Sequence, residues 1–99
     1  MSFLNDYGFT KEEINEISNI NSKGIVNNVV LNKDNVCDII DYFLALDIEK
    51  ETIKKMFKYQ IGIFFKTKKE LIDAFEEYEM DSIIKSLNYD VNTFDLIEF

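Results

Sequence analysis

Apolar residues recur along this chain at the three- and four-residue spacing of a helix surface, in short stretches broken by glycine and by capping residues. The clearest stretch is Val36, Ile39, Ile40, Phe43 and Leu44, at i, i+3, i+4, i+7 and i+8, which would line one side of a helix. Strands need a period of two instead, so this spacing directs the chain toward packed helices. Gly8 follows Phe3, Leu4 and Tyr7 and can end a first turn or two in the left-handed conformation. Thr10-Lys11-Glu12-Glu13 and Thr67-Lys68-Lys69-Glu70 read as capping boxes, each opening a helix. Behind the first box Ile14, Ile17 and Ile20 share a face, and Gly24 then breaks the pattern.

Further on, Asn32 or Asp34 can cap the helix that carries the Val36–Leu44 stripe. Asp47 and Glu49 start a segment with Ile53, Met56 and Phe57 inward and Lys54, Lys55 and Lys58 mostly outward. Leu71, Ile72, Phe75 and Tyr78 follow the second capping box, and Asp81 can cap a short helix holding Ile83, Ile84 and Leu87. The predicted class is all-α, about six to eight short stacked helices in one domain spanning residues 1–99. An α+β alternative stays open. Residues 25–31 and 61–65 are β-branched or aromatic and adjoin or contain Gly24 or Gly62, so they could pair as a small hairpin.

The material for a core is sufficient: of 99 residues 46% are hydrophobic and 14% aromatic, including nine Phe and five Tyr. Phe94, Leu96, Ile97 and Phe99 are expected to pack back on it rather than stand in water. Cys37, the one cysteine, sits beside Val36, Ile39 and Ile40 and reads as a buried small apolar residue. No apolar run approaches the roughly 18 residues that span a bilayer. The first residues lack the basic start and apolar stretch of a signal peptide, so the expected location is cytoplasmic, with no membrane contact.

The absent residue types restrict the chemistry. There is no His, the commonest general base and metal ligand, and no Arg to clamp phosphate with two hydrogen bonds. No phosphate loop, dinucleotide turn, metal-ligand spacing or nucleophile–base arrangement is recognisable. The densest carboxylate groups, Glu12-Glu13-Glu16, Asp38-Asp41 and Glu76-Glu77-Glu79, read as solvated faces. The expectation is a protein that is not an enzyme and carries no metal and no cofactor.

Charge is the other constraint. The formal net charge is −8, which repels a phosphate backbone, yet it is unevenly spread. Lys50, Lys54, Lys55, Lys58, Lys66, Lys68 and Lys69 lie in the middle, whereas from Glu70 to Phe99 nine carboxylates face only Lys85. Two solvated helix faces would account for this, and so would a molecule with one lysine-bearing and one acidic surface.

The chain also matches itself. A shift of 39 residues brings Phe3, Tyr7, Phe9, Ile14 and Ile17 onto Tyr42, Leu46, Ile48, Ile53 and Met56. A shift of 32 brings Ile39, Ile40, Phe43, Leu46 and Ile48 onto Leu71, Ile72, Phe75, Tyr78 and Met80. Units of 30 to 40 residues with this layout read as stacked helical repeats. On residues 4–17, LNDYGFTKEEINEI, and 43–75, FLALDIEKETIKKMFKYQIGIFFKTKKELIDAF, the chain resembles the helical repeat of the mTERF (mitochondrial transcription termination factor) family. The resemblance implies two and a half repeats and, by analogy, nucleic-acid binding through Lys54, Lys55, Lys58, Lys66, Lys68 and Lys69. The chain departs from the family in having no Pro at Asn21 or Gln60 and no Arg for a basic groove.

Three functional readings follow. The favoured one is a protein-interaction module, with Glu76, Glu77, Tyr78, Glu79, Tyr89, Phe94 and Phe99 as contacts for a partner with a basic surface. Acidic inhibitors, immunity proteins and antitoxins are of this kind. Nucleic-acid binding is the alternative, and association of copies through open repeat ends a third possibility.

Overall fold

Both predicted capping boxes are formed in the computed structural model, which describes residues 1–99. Thr10 accepts from the Glu13 amide at 3.1 Å and Glu13 accepts from the Thr10 amide at 2.9 Å, opening helix α1 (Lys11–Ile20). Thr67 and Glu70 do the same for α5 (Lys68–Phe75), at 3.1 Å in each direction. The other α-helices are α2 (Lys23–Leu31), α3 (Lys33–Ala45), α4 (Lys50–Tyr59) and α6 (Met80–Tyr89). Three short 3-10 helices complete the chain: η1 (Ser2–Tyr7), η2 (Ile61–Phe65) and η3 (Val91–Leu96). No strand forms, so the all-α class is correct, and no helix is long and apolar enough to cross a membrane.

The hairpin alternative is overturned. Residues 25–31 are helical within α2 and residues 61–65 form η2. Val29, Ile63 and Phe64 point into the core from helical turns, and that burial outweighs the strand preference of their types. Gly24 does not break a helix either. It lies in the first turn of α2, behind Ser22, whose hydroxyl accepts from the Ile25 amide at 3.2 Å. Asn32 precedes α3 without capping it by its side chain, which donates back to the Asn28 carbonyl at 2.8 Å. Leu44 ends the α3 stripe on the exposed side, and Cys37 is half-buried rather than buried.

Two helix ends share one turn geometry. Gly8 (φ 82°) follows η1 and Asp47 (φ 66°) follows α3, both left-handed. In each case the next amide reaches back five residues, from Phe9 to Leu4 at 3.2 Å and from Ile48 to Phe43 at 3.1 Å. This is the Schellman turn, and the apolar pairs that accompany it, Leu4 with Phe9 and Phe43 with Ile48, are all buried.

The core is a single cluster of 23 buried apolar residues in a molecule 35 × 22 × 22 Å in extent. Packing joins α1 to α4, α3 to α5, and η3 to both α4 and α6. A file of phenylalanine rings runs through it. Phe9 meets Phe57 edge-on at 6.1 Å, Phe57 stacks on Phe64 at 3.9 Å, and Phe64 meets Phe43 at 6.2 Å. Phe43 then touches Phe75 at 6.5 Å and Phe94 at 6.1 Å. Such ring pairs add about 0.5–1.5 kcal/mol each beyond the area they bury.

Three asparagines tie segments distant in sequence. Asn21 donates to the carbonyls of Ile17 and Phe57, both at 2.9 Å. Asn35 donates to those of Phe64 at 3.2 Å and Lys66 at 2.8 Å. Asn88, near the end of α6, accepts from the Glu49 amide at 3.0 Å and the Thr52 hydroxyl at 2.7 Å, and donates to the Asp47 carbonyl at 3.3 Å. Thr52 is the only buried polar residue of the chain.

Candidate functional site

The end of the molecule built from α5, α6 and η3 gathers most of the sequence-predicted contact residues. Its local frame comes from acidic caps. Glu79, not Asp81, caps α6: its carboxylate accepts from the Ser82 amide at 3.0 Å and from the Ser82 hydroxyl. These two hydrogen bonds hold the Glu79 carboxyl below the usual glutamate range. Asp81 lies in the first turn, where its charge favours the helix N-terminus. Asp90 starts η3 by accepting from the Asn92 amide at 2.9 Å.

η3 is then pinned from two sides. Thr93 donates to the Ser86 carbonyl at 3.2 Å, and the Gln60 amide donates to Asn92 at 3.0 Å and Asp95 at 3.1 Å. In this fixed turn Val91, Phe94 and Ile97 face the core, while Leu96 is 79% and Phe99 48% exposed. Phe94 is therefore corrected as an interface residue. It is 3% exposed and packed on Phe43 and Phe75. The expectation that the C-terminal apolar residues all pack back holds for Phe94 and Ile97 and fails for Leu96 and Phe99.

Tyr78 stands between two open clefts. One, of about 240 Å³, has Tyr78, Ile83, Leu96 and Ile97 as its apolar lining, with Glu79 at its edge. The other, of about 630 Å³, is lined by Glu70, Asp73, Glu77 and Glu98 with Tyr78 and Phe99. The Tyr78 hydroxyl donates to the Leu96 carbonyl at 3.4 Å, joining α5's exit to η3. The four carboxylates do not converge as ligands to a metal ion would. Glu76 lies outside the clefts, close enough to Tyr42 for its charge to add to the burial that raises the Tyr42 phenol. Tyr89 is 91% exposed at the far end of α6 and borders neither cleft. Leu96, Glu70, Asp73 and Glu98 were not among the expected contacts.

The lysines do not form one surface. Lys54 reaches back to Glu13 at 3.2 Å and Glu51 at 3.8 Å, and Lys58 to Glu16 at 3.0 Å, so this side of α4 is paired with α1. Glu13 is held below its ordinary range by the Thr10 amide and then by Lys54, Glu16 by Lys58, and Lys54 is raised by Glu13. Lys69 pairs with Asp73 at 2.9 Å. Lys66 lies 4.9 Å above the Phe99 ring and Lys68 5.9 Å above that of Tyr42. Lys55 alone of the six has no carboxylate or ring in contact.

The depressed Glu79 carboxyl carries a pH signature. A group whose pKa is lower when folded stabilises above its unfolded pKa, and that stability is lost as pH falls through the folded value. Wild type is expected to exceed Glu79→Gln in urea midpoint at pH 7. The gap should close below the ordinary glutamate pKa of about 4.3. Equal midpoints at pH 7 would contradict the cap.

No protein-family model, no curated protein and no solved structure matches this chain.

Proposed function

We propose that this chain is a protein-interaction module, with no catalytic role, whose contact surface is the end formed by α5, α6 and η3. Its partner is a protein with a basic surface, in the manner of an acidic inhibitor, immunity protein or antitoxin. The observation that carries the reading is a set of exposed apolar side chains: Tyr78 and Phe99 among Glu70, Asp73, Glu77 and Glu98, and Leu96 beside Tyr78 in the adjoining cleft. Apolar anchors within a charged rim are the composition of contact surfaces. A net charge of −8 steers the chain toward cationic partners.

Nucleic-acid binding ranks lower, because three of its six candidate lysines are paired with carboxylates and two rest on rings. The architecture we read as repeated units like those of the mTERF family. In support, the left-handed turns at Gly8 and Asp47 are 39 positions apart, the shift of the first self-match. The fully buried Leu4, Phe43 and Phe75 are related by the same two shifts, 39 and 32.

Affinity capture on the immobilised chain at low salt tests the function. Basic proteins should be recovered from wild type, elute with salt, and be lost with Leu96→Ser. Recovery of only acidic or neutral proteins would overturn the reading. A mobility shift of DNA or RNA at low salt, abolished by replacing the lysines, would favour the nucleic-acid reading.

A further inference from the structure

The two clefts that meet at Tyr78 differ in chemistry. One is mainly apolar and lies between α6 and η3; the other is edged by carboxylates on α5 and the C-terminal residues. Not all of those carboxylates are free. Glu70 is engaged by the Thr67 amide and Asp73 by Lys69. Glu77 and Glu98 have no hydrogen-bonding or cationic partner within the chain, although both are exposed beside Tyr78 or Phe99. Leu96 is four-fifths exposed on a turn held in place by Gln60 and Thr93, so its exposure is built in. A cation already engages this surface, since Lys66 sits 4.9 Å over the Phe99 ring.

We infer that these clefts together seat one helical segment of a partner protein, with an apolar side chain in the Tyr78–Leu96 cleft and a lysine or arginine at Glu77 and Glu98. This rests on the interaction reading above and specifies its ligand. The helical form follows from the fold. The chain has no strand, so no sheet edge offers itself for strand addition, and the apolar cleft runs between two helical elements. The cationic side chain follows from charge complementarity with the two unpaired carboxylates. The apolar one follows from the water that the exposed Leu96 and Tyr78 would release.

Anisotropy titration of the full chain with labelled synthetic helical peptides tests this. The probe has leucines on one face and lysines on the other. Controls replace its leucines by serine or its lysines by glutamate. The leucine–lysine peptide should bind, and both controls should bind at least about tenfold more weakly. Leu96→Ser should cost about tenfold with the helical circular dichroism unchanged, because Leu96 makes little core contact. Glu77→Lys with Glu98→Lys should weaken binding similarly and flatten its salt dependence, whereas Tyr89→Ser should change nothing. Equal binding to wild type and to these variants would place the peptide elsewhere, overturning the two-cleft site while leaving a basic-partner module intact. No binding of the leucine–lysine peptide also overturns the two-cleft site. The broader reading is then decided by the salt-eluted capture.

Discussion

Replacing Phe43 with alanine is expected to cost about 3–5 kcal/mol of unfolding free energy, the range for deleting a buried aromatic ring. Phe43 has no solvent exposure and touches Phe64, Phe75, Phe94 and Tyr42, from four different elements or turns. Those rings are held by their own backbones, so they cannot close the space the side chain leaves. Domains of this size are stable by roughly 5–15 kcal/mol in total, so the variant should sit near its unfolding midpoint in mild urea. Urea titration followed by circular dichroism measures it, with Tyr89→Ala, which removes an exposed ring, as a control within about 0.5 kcal/mol of wild type. A loss near that of the control would mean that the ring file does not carry the core.

Asn88→Ala should cost about 1–3 kcal/mol, more than a surface asparagine would, because it strands a buried partner. The Asn88 side chain is the acceptor for the Thr52 hydroxyl, on a residue 3% exposed, and for the amide of Glu49, which precedes α4. Removing it takes away the one acceptor that the buried Thr52 hydroxyl has. Adding Thr52→Val to Asn88→Ala should therefore recover part of the loss, since the valine needs no partner. A double variant no better than the single one would place the cost in the Glu49 and Asp47 contacts instead.

The features legible in the sequence were those set within a few residues. Thr10 with Glu13 and Thr67 with Glu70 cap as their spacing predicts, and Gly8 takes the left-handed turn. The α3 stripe buries Val36, Ile39, Ile40 and Phe43. What failed depended on distance. Residues 25–31 are helical because α3 and the core beside it receive Val29, a tertiary effect that β-branched preference opposes. The lysine face dissolved because Glu13 and Glu16 come to lie opposite Lys54 and Lys58 across 41 or 42 residues. At the candidate site Glu77, Tyr78, Glu79 and Phe99 were foreseen, whereas Glu70, Asp73 and Glu98 were not. Phe94 and Leu96 exchanged roles, because a single 3-10 turn is too short for its inward side to show in apolar spacing.

The file of rings from Phe9 to Phe94 also bears on how the molecule comes apart. Arrays of stacked helical units commonly unravel from an end, because each unit leans only on its neighbours. Here the rings of η2, α3, α5 and η3 meet around Phe43, and Phe57 and Phe9 continue the contact to α4 and the turn between η1 and α1. Fraying of the last segment would expose Phe94 and open the space beside Phe43 at once. Loss of structure should therefore be all-or-none, with amide hydrogens in α3, α4 and α5 exchanging through one shared opening event.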